Sequence, residues 1–385
     1  MDEHKRPIYL DYNATTPHDP EVIEAMRPYL EAHFGNPSSS HWYGRKTHEA
    51  VETARAQVAA LLNCEPREIV FTSGGTESNN YAIRGIALAR RRPGAHIITS
   101  QIEHPAVTAV CGRLQGEGFD VTCLPVDEHG LVSACDVERA IRPETILITL
   151  MHANNEVGTI QPVEEAARLA KSRGIVFHTD AAQSAGKIPT DVRGLGADLL
   201  SIAGHKLYAP KGVGALCVRE GLALERLMDG AGQEGGRRPG TENVLEIVGL
   251  GKACQLALQR LAANGEHMQR MRQRLETGLR ERVPRIRVNG HPERRLPNTL
   301  SVSVHGVDAN ALLAAMEGQV AASAGAACHS GQVHMSHVLR AMQVPEEWAR
   351  GTLRFSTGAM TSEAEIDTAL TVIAGTAARL RREGA

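Results

Sequence analysis

The sequence predicts an α/β fold in which a mostly parallel, seven-stranded sheet forms a large domain and a smaller α+β domain follows. Short runs of β-branched residues alternate with helical patterns between residues 69 and 218. Such alternation is typical of a parallel sheet with helices on both faces. Near residue 245 the pattern changes, because a long helical stretch begins and strands become fewer.

Seven apolar runs account for the strands of the large sheet. In chain order they are IVFT (69–72), HIIT (96–99), VTCLPV (121–126), ILITLM (146–151), IVFHTD (175–180), DLLSIA (198–203) and VGALCV (213–218). Ligands of parallel sheets bind beyond the carboxyl ends of the strands. The polar residues that follow these runs are therefore the candidates for a functional site.

The later part of the chain mixes helices with fewer strands. A helical run over 244–283, broken near Gly265, leads to RIRVNG and NTLSVSVHG. A helix around 308–317, the stretches QVAASAG and GTLRFSTG, and a helix over 362–382 follow. This mixture predicts a smaller α+β domain.

The composition is that of a soluble globular enzyme, with 385 residues, 42% hydrophobic and 22% charged. A net charge of -2 gives no electrostatic reason to expect nucleic acid or a membrane surface as partner. The stretch MDEHKRPIYLDYNATTP has no signal-peptide pattern, and no apolar run approaches the length that spans a bilayer. We therefore expect a cytoplasmic protein.

The seven cysteines are scattered and form no CxxC pair, so free thiols are expected in a reducing compartment. Cys328 differs from the rest because it lies in ASAGAACHSGQ (322–332), whose small residues offer little to pack against and predict a loop. The other six lie in apolar or periodic segments and are expected to be buried: Cys64, Cys111, Cys123, Cys135, Cys217 and Cys254.

Three strand ends carry groups that suit one cofactor. TSGGTESNN (72–80) pairs glycines with a helix start, which suits a phosphate, although a capped glycine turn looks the same. HTDAAQS ends a strand with Asp180, and GHKLYAPKGVGAL carries Lys206. Alone, these two residues read as an N-cap and a solvated lysine. Together, the phosphate site, the carboxylate and the lysine are what pyridoxal phosphate requires.

Two further segments fit the same pocket. EHPAV places His104 after a strand, where it could stack on a flat ring or simply begin a helix. MHANNEVG places Asn155 after another strand, where it could bond the cofactor or substrate or serve turn chemistry.

Cys328 also begins a CHx₄Hx₂H pattern with His329, His334 and His337. Zinc sites use similar spacings, but no second cysteine or carboxylate supports a ligand shell here. The pattern favours a reactive thiol, with the histidines as loop residues or proton carriers, and we expect no metal.

Over nearly its whole length the sequence resembles the cysteine desulfurase family, in the branch of the nitrogen-fixation and housekeeping enzymes that carry a long catalytic loop. The motifs that carry the resemblance are YLDYNATTP, FGNPSS, FTSGGTESNN, EHPAV, NNEVGTIQP, HTDAAQS, GHKLYAPKGVGAL, RPGTENV, LPNTLS, GAACHS and LRFSTG. The resemblance implies the pyridoxal-phosphate-dependent transferase fold of type I and a homodimer with active sites at the subunit interface. It implies a large domain over 15–258 and a small domain of 1–14 and 259–385, with the catalytic cysteine loop at about 322–337.

The resemblance also assigns roles to individual residues. Lys206 matches the Schiff-base lysine, Asp180 the partner of the pyridine nitrogen, and His104 the stacked histidine that manages protons. Arg354 matches the arginine that grips the substrate carboxylate, and Cys328 the nucleophile. Further matches are Gln183 near the cofactor phenolate, Asn155 between cofactor and substrate, Gly75, Thr76 and His205 at the phosphate, Thr241 from the other subunit, and Asn36 at the substrate entrance.

The implied reaction converts L-cysteine to L-alanine and leaves a persulfide on Cys328. The sulfur would then pass to an acceptor or scaffold protein for iron–sulfur cluster or thio-cofactor biosynthesis. Ala203 departs from the family, which often has a serine there that helps to hold the phosphate. With RPGTEN and GAACHS, this alanine is similar to the selenocysteine lyases, so release of selenium from L-selenocysteine stays an alternative. Two more distant alternatives are an aminotransferase and a non-catalytic sulfur carrier.

Overall fold

A computed structural model of the chain describes residues 6–329 and 332–383, with only the backbone described for 326–329, 332–334 and 383. Its helices are α1 (Pro20–Glu31), α2 (Trp42–Leu62), α3 (Gly75–Ala89), α4 (Pro105–Gly116), α5 (Ala134–Ala140), α6 (Val163–Ser172), α7 (Val192–Leu195), α8 (Val244–Arg282), α9 (Ala309–Ala315), α10 (His337–Ala341), α11 (Glu346–Ala349) and α12 (Glu363–Glu383).

A seven-stranded sheet confirms the predicted fold class. After the short β1 (Ile8–Tyr9), its strands are β2 (Ile69–Thr72), β3 (His96–Ser100), β4 (Asp120–Leu124), β5 (Thr145–Thr149), β6 (Val176–Asp180), β7 (Leu199–Ala203) and β8 (Gly214–Val218). Their order in the sheet is β2-β8-β7-β6-β5-β3-β4. Only β8 runs against the other six, since its pairings with β2 and β7 are antiparallel while the remaining pairings are parallel.

Both faces of this sheet are buried, which explains why its strands read as continuous apolar runs. Successive strand residues point to opposite faces. Ile97 therefore packs in one hydrophobic cluster and Ile98 in another, and the same alternation holds for Leu199 and Leu200. Helices α3 and α4 cover the first face, while α2, α6 and the first half of α8 cover the second.

A second, smaller sheet accounts for the later part of the chain. The strands of this part are β9 (Ile286–Asn289), β10 (Thr299–Val304), β11 (Val320–Ala321), β12 (Ser323–Ala324), β13 (Ala326–His329), β14 (Gln332–Met335) and β15 (Thr352–Ser356). The order of the sheet is β12-β15-β10-β9, and all its pairings are antiparallel. The strand β1 pairs in parallel with β11, so the segment near residue 8 joins this part.

The predicted break near Gly265 is wrong, because α8 is continuous from Val244 to Arg282. Its first half buries Leu250 in the core of the large sheet, and its second half buries Leu275 in the core of the small sheet. Packing at both ends outweighs the helix penalty of one glycine, which is about 1 kcal/mol. The predicted domain boundary near residue 258 falls inside this helix and stays a prediction.

Two expectations about cysteines need correction. Cys123 and Cys135 are exposed rather than buried, because β4 is an edge strand and Cys135 lies in the first turn of the short α5. Cys64 is half-buried, while Cys111, Cys217 and Cys254 are buried as predicted.

The backbone of Cys328 lies in a two-stranded antiparallel ladder rather than in an irregular loop. Strands β13 and β14 pair antiparallel with Cys328 opposite Val333. Small residues therefore do not prevent regular pairing here, because a two-stranded ladder needs only backbone hydrogen bonds. The side chain of Cys328 lies outside the described part of the chain.

Within the described ranges 6–329 and 332–383, no helix combines the length and the apolar character needed to cross a bilayer.

Candidate active site

A cavity of about 410 Å³ lies beyond the carboxyl ends of the parallel strands. This is the edge at which open α/β sheets bind their ligands. Nine of the predicted site residues line it: Gly75, Thr76, His104, Asn155, Asp180, Gln183, His205, Lys206 and Arg354.

Lys206 reaches the cavity from a short 3₁₀ turn, Gly204–Lys206, directly after β7. Its Nζ donates to the backbone carbonyl of Ala14 at 2.6 Å and to that of Asn13. Burial, together with the positive charge of Arg354, lowers the pKa of Lys206 to about 8. A lysine whose pKa is lowered in this way is available as a neutral amine near physiological pH.

Asp180 ends β6 and is only 7% exposed. One carboxylate oxygen accepts from Nδ2 of Asn79 at 2.6 Å, and the other accepts from the backbone N–H of Ala182 at 2.9 Å. The N-cap interpretation is wrong, because the next helix, α7, begins only at Val192 and the bond to Ala182 belongs to a turn. The role of Asp180 at a ring nitrogen stays a prediction. Asn79, on the second turn of α3, also has a buried Oδ1 that none of the described residues bonds. Sequence reasoning missed it, although it lies within TSGGTESNN.

The start of α3 forms a cradle beside Lys206. Gly74 has a φ of 148°, a conformation that glycine adopts far more readily than other residues. The helix begins at Gly75 without a side-chain cap, so its first backbone N–H groups are available to an anion. A Cβ on Gly75 would lie 3.2 Å from the Cβ of Ala203, which forms the floor of the cradle.

His205 stands beside this cradle as a neutral side chain. Its Nδ1 lies 3.3 Å from Oγ1 of Thr15. Burial, with the neighbouring charge of Lys206, lowers the pKa of His205 to about 4. A neutral imidazole can donate one N–H to a phosphate oxygen without adding a positive charge to the site.

His104 both caps a helix and lines the cavity. Its Nδ1 accepts from the backbone N–H of Ala106 at 3.1 Å, so the neutral ring carries its proton on Nε2. Burial lowers its pKa, against the opposing effect of Asp180. The ring is therefore a neutral group with a defined tautomer inside the cavity.

Asn155 and its neighbour divide the two roles that the sequence left open. Oδ1 of Asn154 accepts the backbone N–H groups of Glu156 and Val157, so Asn154 performs the turn chemistry. Asn155 lines the cavity, and its backbone carbonyl accepts from Nη1 of Arg354 at 3.2 Å.

Arg354 projects from the middle of β15 in the small sheet. Its Nη2 bonds Oδ1 of Asp11 at 2.8 Å and Oγ of Ser323 at 3.0 Å. Its Nε is buried without a partner among the described residues. The guanidinium is thus held in place by its Nη atoms while a donor remains for an incoming carboxylate.

Asn13, which sequence reasoning did not assign, connects these groups. Its backbone carbonyl accepts from both Lys206 and Nε2 of Gln183. Its Nδ2 donates to Thr299 at 2.8 Å and to the carbonyl of Asn155 at 3.1 Å. Its position inside YLDYNATTP was the available signal, because several of the other motifs, such as HTDAAQS and EHPAV, supply cavity residues.

Three predicted residues do not line this cavity as described. Asn36 is exposed, and its Oδ1 accepts from the backbone N–H of Ser38. Thr241 is also exposed, which suits a residue that serves another subunit. Cys328 has no described side chain. The roles of these three residues stay predictions.

Among the described residues, no group of three or more His, Cys, Asp or Glu could hold a metal ion. His337, the last member of the CHx₄Hx₂H pattern, has Nε2 at 2.9 Å from the carbonyl of Glu103. His329 and His334 have no described side chains.

Comparison with known proteins gives this arrangement a family. The class-V aminotransferase family model matches residues 8–369. A protein of Methanosarcina thermophila called cysteine desulfurase IscS is 47% identical over 375 residues, covering 97% of this chain and 93% of the relative.

Two solved structures agree in fold. A NifS-like protein has a TM-score of 0.92 at 37% identity, covering 97% of this chain and all of its own. A structure described as SspA in complex with cysteine has a TM-score of 0.81 at 40% identity, covering 92% of this chain and 99% of its own. The chain therefore belongs to the cysteine desulfurase family, within the class-V aminotransferases.

Proposed function

We propose that this chain removes the sulfur of L-cysteine, releases L-alanine and takes up the sulfur as a persulfide on Cys328. The observation that carries the proposal is the meeting of Lys206, Asp180, the start of α3 and Arg354 in one cavity. The chain also matches cysteine desulfurases over nearly its full length.

Enzymes of this family depend on pyridoxal phosphate, and the cavity fits that cofactor. The uncapped start of α3 and neutral His205 suit its phosphate, and Asp180 suits a cationic ring nitrogen. Lys206, which has a lowered pKa, would hold the aldehyde carbon. When bound, the cofactor supplies an electron-withdrawing ring that accepts the electron pair left at the substrate Cα.

Arg354 would bind and orient the substrate carboxylate. Its contacts with Asp11 and Ser323 fix the guanidinium plane beside the cavity that Arg354 lines. A guanidinium held in one plane can bind both oxygens of a carboxylate, and this two-point contact orients the neighbouring Cα for reaction.

Lys206 would move the proton at the substrate Cα. Its pKa of about 8 lies close to physiological pH, where a general base is most effective. The carbonyls of Asn13 and Ala14 hold its Nζ in place and provide a resting position for the amine.

Sulfur transfer requires the thiolate of Cys328 to attack the substrate sulfur. The new S–S bond forms as the substrate C–S bond breaks, and the former sulfur-bearing carbon becomes the methyl group of alanine. The electron pair of the C–S bond would stay with the carbon, which must take up a proton to become that methyl group. His104, with its proton on Nε2 in the cavity, is placed to deliver this proton.

The selenium alternative is not favoured. The matched relative is called a cysteine desulfurase, and one structural neighbour is described with cysteine bound. Ala203, whose apolar character suggested the alternative, lies beside Gly75 where the cofactor phosphate would bind, so it does not distinguish a sulfur from a selenium substrate.

The proposal extends to the assembly and its setting. We expect a homodimer in which Thr241 reaches the partner's phosphate, and a protein acceptor that takes sulfur from Cys328 for iron–sulfur clusters or thio-cofactors. A cytoplasmic setting, and large and small domains that divide near residue 258, complete the proposal.

The direct test is detection of a persulfide on Cys328 by mass spectrometry after addition of L-cysteine. Cys328→Ala should abolish alanine release, while Cys135→Ala, which removes an exposed thiol elsewhere, should leave it unchanged. Alanine release should also be compared for cysteine and selenocysteine. Turnover of selenocysteine alone, or full activity of the Cys328→Ala protein, would contradict the proposal.

A further inference from the structure

Lys187 is a buried lysine that the proposed reaction does not use. It is 6% exposed, and its Nζ donates to the backbone carbonyl of Gln183 at 2.9 Å and to the side-chain Oε1 of Gln183 at 3.1 Å. No described carboxylate forms an ion pair with it. Lysines are rarely buried without a charged partner, so its retention here needs a reason.

The partners of Gln183 determine which way its amide faces. In its charged form Lys187 is a donor and never an acceptor, so it must face Oε1. The carbonyl of Asn13 is an acceptor and never a donor, so it must face Nε2, which lies 2.9 Å away. A flipped amide would place Nε2 against Lys187 and Oε1 against the Asn13 carbonyl. Both hydrogen bonds would then be lost, so one orientation of the amide is strongly favoured.

This orientation leaves one amide hydrogen for the cavity. Nε2 carries two hydrogens, of which the Asn13 carbonyl takes one, and the other has no partner among the described residues. Gln183 lines the cavity, whereas Lys187 does not and lies behind it.

We propose that Lys187 is a positioning residue that fixes the Gln183 amide so that its second N–H is presented to an acceptor oxygen of the bound ligand. The inference rests on the proposed function, in which that ligand is pyridoxal phosphate and the acceptor is its ring oxygen. Lys187 would thus set the cofactor's environment without touching it.

The charge state of Lys187 decides how strongly it fixes the amide of Gln183. Burial lowers its pKa to about 7, and the charges of Lys206 and Arg354 act in the same direction. A cavity of about 180 Å³ behind Lys206 is lined by Lys187 together with the charged Asp19 and Arg260. A neutral amine still has two N–H groups, which suffice for both bonds to Gln183, but it also has a lone pair, so in that state the Asn13 carbonyl is the group that excludes the flipped amide.

Lys187→Met tests the proposal, because methionine keeps the length and apolar stem of lysine but removes the donor. Titration of the apo-protein with pyridoxal phosphate should show a Kd raised by about fivefold to tenfold, as for the loss of one hydrogen bond. The visible absorption band of the bound cofactor, followed across pH, should change its midpoint as well.

A double-variant cycle separates positioning from packing or charge. Gln183→Leu should reproduce the effect of Lys187→Met, and adding Lys187→Met to it should change Kd by less than about twofold. If Lys187→Met alone alters neither the Kd nor the absorption band, the proposal is overturned. It is equally overturned if the full effect persists in the Gln183→Leu background.

Lys187→Gln keeps an N–H donor on a shorter side chain. It provides a second test if the Lys187→Met protein does not fold. Its Kd should lie between those of wild type and Lys187→Met, and a larger loss would overturn the proposal. None of these readouts requires turnover. A wild-type protein that binds the cofactor but releases no alanine from cysteine would contradict the proposed function and leave the test of Lys187 intact.

Discussion

Glu234 and Arg55 form a buried ion pair whose disruption should be costly. Two bonds of 2.8 Å join the guanidinium and the carboxylate, and the side chains are only 10% and 3% exposed. Oε2 of Glu234 also accepts the backbone N–H of Phe71 in β2. Burial works against the charge, but the Glu234 carboxylate overcomes this and raises the pKa of Arg55. The pair fastens the segment between β8 and α8, which carries Thr241, onto the large sheet.

Glu234→Gln leaves the buried Arg55 guanidinium with the half-exposed carboxylate of Glu52, at 3.0 Å, as its remaining charged partner. Breaking a buried ion pair costs about 3–5 kcal/mol, and glutamine keeps one acceptor oxygen, so we expect about 3 kcal/mol. At about 2.1 cal/mol/K per residue, the unfolding entropy of a chain of 385 residues converts this to a fall of about 4 °C in Tm. Arg55→Met combined with Glu234→Leu should cost less than the single changes together, because no charge is then stranded.

The assay is calorimetry at fixed protein and cofactor concentration. A matched control is Glu220→Gln, which breaks the surface pair with Arg67 at 3.0 Å, where both side chains are more than 60% exposed. We expect its Tm to change by about 1 °C or less. If Glu234→Gln melts within 1 °C of wild type, or no lower than Glu220→Gln, the reasoning from burial is refuted.

Two shifted pKa values and the lining of the cavity set three further expectations. Because the pKa of Lys206 is about 8, uptake of pyridoxal phosphate by the apo-protein, read by absorbance, should accelerate with pH and level off above about pH 8; a rate still climbing at pH 10 would contradict this. Burial raises the pKa of Glu103 to about 8 from 4.5, so its contribution to stability is fully present below about pH 4.5 and is lost as pH rises to 8. Glu103→Gln should therefore gain Tm relative to wild type between pH 5 and 8, and parallel curves would count against it. Ala203→Ser restores a hydroxyl beside Gly75, so the Kd for pyridoxal phosphate should fall about threefold to tenfold in an equilibrium titration, and an unchanged Kd would reject that role.

Most of the large sheet was predictable because its strands are buried on both faces. The run IVFT coincides with β2, and the other six runs agree with their strands within about two residues at each end. Strand direction was less accessible, since the reversed β8 has the same apolar composition as its parallel neighbours. Local pattern could not find the continuity of α8 either, because distant packing at both of its ends holds Gly265 in the helix.

For the site as well, residues placed by the local strand pattern were predictable, and residues that act through distant contacts were not. Residues at strand ends, such as Asp180 and Lys206, were identifiable because parallel strands bring their carboxyl ends together. Asn79 was missed because it lies one turn inside a helix and acts on Asp180, 101 residues away. The contact of Lys187 with Gln183 spans one local turn, but only the burial of both makes it informative.

The segment from Asp11 to Ala14 contacts both the proposed substrate-binding arginine and the proposed Schiff-base lysine. One end holds Arg354 through the carboxylate of Asp11, and the other holds Lys206 through the carbonyls of Asn13 and Ala14. These four residues therefore connect the arginine proposed to bind the substrate carboxylate with the amine proposed to move the Cα proton. By linkage, any effect of carboxylate binding on the release of Lys206 must be matched by an equal effect of that release on the affinity for the carboxylate.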